Sequence, residues 1–471
     1  MRTLNALILL PLLLPATGRT QTTSSLELRR TASEKFIGQF EPSSMVGLPI
    51  FSPDGRHMAY VSQAGMKRFV VLDGKQGKSY DGISNGSLVF SPDGGKVAFL
   101  AGINGRVAVV LGDQQGKSYD GIGEGGIVFS PNSQRVAYAA KSGGKQFVVV
   151  DGKEDKPYDG IGKGTPIFSP NSQRVAYWAQ VGANVVVVVD GKEEKAYDSI
   201  GEKTLGFSPD SQRVAYWARV GKNAIAVVDG KEEKPFDQFA GGLIFSPDSR
   251  RVAYVAVAGG KQLVVVDGNE GKRYDGIGEG SLTFSPDSHR VAYWAGAGKK
   301  RFAVLDGKED RSYDLIGGPI FSPDSRRVAY AAVAGVKQFV VVDGDQKKSY
   351  NAISRGTLIF SPDSRRVCYQ AQTGGKWLIV VNDKEERAYD GIGDGSLTFS
   401  PDSRRVAYWA GSGRSRFVVV DGNEGKSFDG PPKGTTIVFD STNALHYTAF
   451  RLNARGGNTI VDVYVVEETI D

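Results

Sequence analysis

Carboxylates, guanidinium groups and glycines recur along the 471-residue chain in patterns that could support chemistry. An aspartate follows an aromatic residue at Asp81, Asp120, Asp159, Asp198, Asp237, Asp275, Asp314, Asp390 and Asp429. Carboxylates brought together could exchange protons in acid–base catalysis, or hold a hard cation through oxygen ligands. Their regular return argues for another role. A catalytic pair needs one special position, whereas hydrogen bonds from the amides of the aspartate's own loop would serve every copy. Arginine pairs follow a Ser-Pro-Asp-Ser turn at Arg250–Arg251, Arg326–Arg327, Arg365–Arg366 and Arg404–Arg405. As solvated turn residues with local ion pairs they would contribute little to stability. As a rim they would dock a partner, the use that repeat assemblies make of such surfaces.

Other constellations assign no catalytic residue, metal or cofactor. His57, His289 and His446 stand in different parts of the chain, and no two are at a metal-binding spacing. Cys368 is the single cysteine, so no intramolecular disulfide can form; it takes the place of an alanine in the pattern VAY, which suits a small buried residue. No histidine lies near it in sequence to activate a thiolate. Gly121–Gly126 (GIGEGG) matches G-x-G-x-x-G, but Ile127–Phe129 beyond it reads as strand, where a dinucleotide site needs a helix. There is no G-x-S-x-G elbow, P-loop or EF-hand pattern.

A repeat must position all these residues. The phenylalanine of FSPD-type motifs falls at Phe51, Phe90, Phe129, Phe168, Phe207, Phe245, Phe284, Phe321, Phe360 and Phe399, with a decayed copy at Phe439. Neighbouring copies lie 37 to 40 residues apart, giving eleven units from about residue 35 onward. The unit around Phe284 has four strand-like pieces: GSLTF (280–284), RVAYWA (290–295), RFAVLD (301–306) and RSYDLI (311–316). Val, Tyr, Phe, Trp and Ile suit a pleated, packed surface, and Gly, Asp, Ser and Pro between them suit tight reversals. No segment carries an apolar stripe at helical spacing. Four antiparallel strands per 40-residue unit mark a propeller blade, which needs neighbours to bury both faces. The predicted fold is therefore all-β, a β-propeller of about eleven four-stranded blades. It forms one large ring or two tandem propellers, with a candidate seam at PFDQFAGG (235–242). KFIGQF (35–40) resembles a stray fourth strand and is expected to pair with the last unit and close the array.

FSPDG at 51–55 and 90–94, FSPDSRRVAY at 321–330 and QFVVVDGDQ at 338–346 resemble the core of TolB-like, WD-repeat-like propellers. The resemblance covers every unit. It implies a periplasmic or secreted bacterial propeller that works through protein contacts. The N-terminal α/β domain of TolB proteins has no counterpart in the sequence, so the Tol–Pal role is not implied.

The opening MRTLNALILLPLLLPATGRT has the layout of a secretory signal peptide: Arg2, an apolar run over 4–14, then small residues. Residues 1–20 are read as that signal, 21–34 as a flexible polar leader and 35–471 as the repeat array. The apolar run is too short to span a bilayer. The net charge of +6 comes from basic and acidic residues that are interleaved, without the one-signed stripe that nucleic acid requires. The functional expectation is a non-enzymatic, exported interaction or scaffolding module whose protein partners contact one loop face or the channel. The alternative is a channel-based ligand-binding or carbohydrate-processing propeller enzyme.

Overall fold

The second and third strands of each unit carry the apolar residues, and they pair as antiparallel hairpins that nucleate eleven sheets. The computed structural model describes residues 29–471. Blades are numbered here from the one containing Phe51 (blade 1) to the one containing Phe439 (blade 11).

Blade 7 illustrates the register. Val291–Ala297 pairs with Lys300–Leu305 over Ala292↔Leu305 to Ala297↔Lys300, and Lys308–Glu309 adds to the outer side. The first strand is split. Gly276–Ile277 and Thr283–Phe284 both pair with Val291–Ala297. This corrects the strand limits expected from sequence. The chain turns at the aspartate rather than after the isoleucine, so Leu315–Ile316 pairs with Ala332 and Val333 of blade 8. The intervening loop must pass close under a tryptophan: a Cβ on Gly278 would fall 1.9 Å from the Trp294 indole.

Side chains alternate along these strands. Val291, Tyr293 and Ala295 pack against blade 6, while Ala303 on the adjacent strand packs against blade 8. Eleven buried clusters result, each shared by two successive blades. The last joins blade 11 to blade 1 through Ile37, Met58, Tyr60, Phe69, Val71, Val461, Val463 and Val465. The eleven blades therefore form one ring, and the alternative of two tandem propellers falls. The candidate seam at 235–242 is bridged: Phe236 belongs to the cluster shared by blades 5 and 6. Phe239 packs there against Trp217 and Tyr254, with ring centroids 5.9 and 5.2 Å away.

Blade 11 contributes Val438–Ser441, Ala444–Arg455 and Asn458–Ile470, and its fourth strand is Arg30–Phe40. The pairing runs from Arg30↔Ile470 to Phe40↔Val461, with a bulge between Phe36 and Gly38. The strand starts earlier than KFIGQF, so residues 30–34, expected in a flexible leader, belong to the sheet. Polar contacts hold them. Arg30 pairs with Glu468 and donates to the carbonyls of Val418 and Asn423 at 3.0 and 2.6 Å. Glu34 pairs with Arg451 at 2.6 Å and with Lys426. The signal peptide expected at 1–20 and leader residues 21–28 lie outside the described residues. Among the described residues no helix is long and apolar enough to cross a membrane.

Candidate functional site

In an antiparallel meander the first and third turns of a blade share one face. The Ser-Pro-Asp-Ser motif builds the first turn. In blade 6, Ser246 Oγ donates to Asp248 Oδ1 at 2.5 Å and accepts from the Arg251 amide at 2.9 Å. Asp248 Oδ1 also accepts from the Arg250 amide at 3.1 Å. The motif then links blades: the Asp248 amide donates to Ser288 Oγ of blade 7 at 2.9 Å. Ser288 has φ 69°, a left-handed conformation that favours glycine. The strain, roughly 1 kcal/mol, is offset by the interblade hydrogen bond that glycine could not make.

The second arginine of each pair belongs to the same linkage. Arg251 Nε pairs with Asp267 at 2.9 Å, Nη1 donates to the carbonyls of Ser288 and His289 at 3.1 and 3.0 Å, and the guanidinium lies 5.3 Å from the Phe284 ring centroid. Arg327 repeats this with Asp343, Ser364, Arg365 and Phe360. Arg366 keeps the bonds to Ser403 and Arg404 and the stacking on Phe399, and Arg405 reaches Asp421 and Asn443. The fold thus occupies Arg251, Arg327, Arg366 and Arg405. It leaves Arg250, Arg326, Arg365 and Arg404 exposed. Treating each pair as one rim element is corrected accordingly. Blades 3 to 5 carry Gln134, Gln173 and Gln212 at the exposed position, and blade 7 carries His289. The exposed arginines and His289 therefore occupy five consecutive blades, 6 to 10.

The repeated aspartates work on the opposite face. Asp275 Oδ2 accepts from the Gly298 amide at 2.6 Å, Asp314 from Gly335 at 2.8 Å, Asp390 from Gly413 at 2.7 Å and Asp429 from Leu452 at 2.8 Å. Asp81, Asp120, Asp159, Asp198 and Asp237 do the same with Asn104, Gly143, Gly182, Gly221 and Gly259. Each donor lies in the following blade, in its second turn or, for Leu452, near the end of its second strand, and not in the aspartate's own loop as expected. The crossover places the carboxylate beside that turn, so the bond staples neighbours together. The Gly298 amide and then Lys261 hold the Asp275 carboxyl below its ordinary range; Lys67 and then the Asn104 amide do so for Asp81. Groups held ionised in this way are poor proton carriers.

The remaining candidates are also structural. Cys368 is fully buried opposite Val381, and burial pushes its thiol well up, away from the reactive thiolate. His446 is buried between Asp440 Oδ2 and the Asp54 carbonyl, each at 2.8 Å, where blade 11 meets blade 1. Gly121–Ile122 of the glycine-rich match is strand, paired with Lys141 and Ala140. No group of three His, Cys, Asp or Glu side chains able to hold a metal occurs among the described residues.

Sequence reasoning missed one arrangement on the Arg250 face. Radial clefts separate the third turn of each blade from the second strand of the next. In five of them a tyrosine hydroxyl donates across the cleft to a turn carboxylate. Tyr177 bonds Asp155 at 2.8 Å, Tyr216 bonds Glu194 and Tyr254 bonds Glu233 at 2.7 Å, and Tyr330 bonds Asp310 and Tyr408 bonds Glu386 at 2.8 Å. Burial first, then the carboxylate, raises the Tyr216 and Tyr254 hydroxyls far above their usual range. Burial raises the Glu386 carboxyl, against the lowering effects of Tyr408 and Arg366. The sequence signal was the alternation of turns DGKEE and DGKED with DGNEGK. It carried no meaning until the tyrosine one unit away was placed opposite.

No family model matches the chain, and no curated protein matches it. Solved structures do. A eukaryotic initiation factor is 15% identical over 71% of this chain and 96% of its own, with a TM-score of 0.39. TolB from Acinetobacter baumannii is 13% identical over 62% and 79%, at 0.26. The β-propeller domain of the Trilobed protease from Pyrococcus furiosus is 13% identical over 54% and 92%, at 0.27. The chain is a β-propeller. At these identities the likeness extends to the fold alone.

Proposed function

We propose that this propeller is an exported, non-enzymatic scaffold that docks a protein partner on the face bearing Arg250, Arg326, Arg365 and Arg404. The observation that carries the reading is the division of the arginine pairs. One member of each is consumed by interblade bonds, while the other is exposed with its backbone held by the turn aspartate. Four guanidinium groups on a rigid arc, with His289 among them, suit an acidic protein surface. The aspartates and the cysteine that chemistry could have used are tied into the fold, which favours a scaffold over an enzyme. The apolar run at 4–14 favours export.

The test replaces all four arginines with glutamine, the residue that blades 3 to 5 already carry at this position. The mature protein is expected to retain a partner from periplasmic extract at low salt, and the variant to lose it while keeping its melting temperature. Equal retention by both proteins, or turnover in an activity screen, would reverse the reading.

A further inference from the structure

The tyrosine–carboxylate clefts differ in one residue. Five blades place an acid at the third-turn position facing the next blade's tyrosine, blade 8 places Lys347, and four place glycine there: Gly77, Gly116, Gly271 and Gly425. What happens over each glycine is informative. Over Gly425 the space is taken by the Arg30 guanidinium, and Tyr447 donates instead to Glu468 at 2.5 Å, which Arg30 neutralises. The ring thus brings a carboxylate to the tyrosine from another strand when the turn lacks one. The cleft over Gly77 has Phe99 in place of tyrosine and offers no hydroxyl. Across from Gly116, Tyr138 remains, but Lys96 stands where later blades have the arginine of the interblade linkage. The cleft over Gly271 keeps both Tyr293 and Arg251. A Cβ on Gly271 would lie 3.0 Å from the Val264 carbonyl oxygen and 4.0 Å from the Tyr293 hydroxyl oxygen, so the turn itself brings no carboxylate to that hydroxyl; the nearby Glu309 carboxylate acts on it from blade 7.

This cleft has a volume of about 320 Å³ and is lined by Arg251, Val264, Val266, Glu270, His289 and Tyr293, among others. Its acidic members are already matched. Glu270 pairs with Lys234 and with Arg273 at 3.6 Å, and Asp306 pairs with Arg290 at 2.9 Å. The cleft's own relatives indicate what fits. Glu194 and Glu233, beside arginines paired with an aspartate as Arg251 is, bond Tyr216 and Tyr254 at 2.7 Å.

We propose that the cleft between blades 6 and 7 binds a carboxylate from outside the fold. Tyr293 donates to it, as the sister tyrosines donate to their turn carboxylates, and Val264 and Val266 pack its aliphatic stem. The fitting ligand is a glutamate-sized aliphatic acid, as a free molecule or as a partner's side chain. The site does not rest on the arginine rim, since it needs only the isolated chain.

Calorimetric titration of the full folded chain with N-acetylglutamate and with acetyl-Gly-Glu-Gly-amide tests it. Saturable binding of either probe at one equivalent is expected. Binding of the free acid alone marks a small-molecule site, and binding of the peptide alone marks a side-chain site. Gly271→Glu supplies the missing carboxylate from within, and Tyr293→Phe removes only the hydroxyl; each should weaken binding at least about tenfold. Gly116→Glu, in a different cleft, should leave it unchanged. Near-ultraviolet circular dichroism confirms that the variants are folded. No saturable binding of either probe, or unchanged binding by folded Gly271→Glu, overturns the proposal.

Discussion

Arg30 and Glu468 lie 438 positions apart in sequence and form a buried ion pair, with Arg30 Nε 2.8 Å from Glu468 Oε2. Their side chains are 8% and 1% exposed. Arg30 spans two blades, since it also holds carbonyls of blade 10, and Glu468 satisfies the Tyr447 hydroxyl.

Breaking this pair should be costly. Arg30→Ala leaves a buried carboxylate without its counter-charge, which costs about 3–5 kcal/mol. The double variant Arg30→Met with Glu468→Met removes both charges and should cost much less, because no charge remains buried. Urea unfolding of the two single variants and the double variant measures this. Equal loss in Arg30→Ala and the double variant would show that packing, not charge, dominates.

Closure should also weaken in acid. The Arg451 hydrogen bond, aided by Lys426, holds the Glu34 carboxyl at about 2, down from 4.5. A carboxyl depressed in the folded state contributes stability above its unfolded value, and that contribution disappears as pH falls toward its folded value. Glu34 therefore stabilises the ring fully above about 4.5 and loses its contribution between there and about 2. Thermal melts from pH 6 to pH 2 should show a shallower decline in Glu34→Gln than in the parent. Parallel curves would remove Glu34 from the acid response.

The two members of an arginine pair should behave oppositely. Arg251→Gln removes an ion pair, two interblade hydrogen bonds and a ring contact, and should destabilise by about 1–3 kcal/mol. Arg250→Gln touches an exposed side chain and should stay within about 0.5 kcal/mol of the parent. Differential scanning calorimetry on both separates them; equal shifts would contradict the division of roles.

The period of the motif, the four strands per unit and the missing fourth strand of the last blade were legible because each rests on local patterns: apolar runs, Ser-Pro-Asp turns and their spacing. KFIGQF was recognisable as a strand because it is a short run with aromatic and β-branched residues standing just before the first unit. Arg30–Glu34 was not, because its partners Glu468, Arg451 and Lys426 come from the far end of the chain. The same holds for the turns. Asp248 bonds Ser288 across 40 residues, and Tyr254 bonds Glu233 across 21. Such bonds connect different positions of successive units. A repeat alignment lists those positions in separate columns and gives no reason to join them. For that reason nothing local separates Arg251 from Arg250, or Gly271 from the other turn glycines.

The stitching between blades is uneven, and the boundary between blades 1 and 2 keeps the Asp81–Asn104 bond but lacks three links found between later blades. Gly94 replaces the linking serine, His57 turns to Asp73 of its own blade instead of reaching across, and Phe99 has no hydroxyl for a cleft carboxylate. The cleft there is about 450 Å³. This joint is one blade away from the covalently distant ends that Arg30 and Glu468 clasp together. With fewer side-chain bonds to break, that joint should open locally at lower cost than the joints stitched by serine and arginine, while the Arg30–Glu468 clasp stays closed.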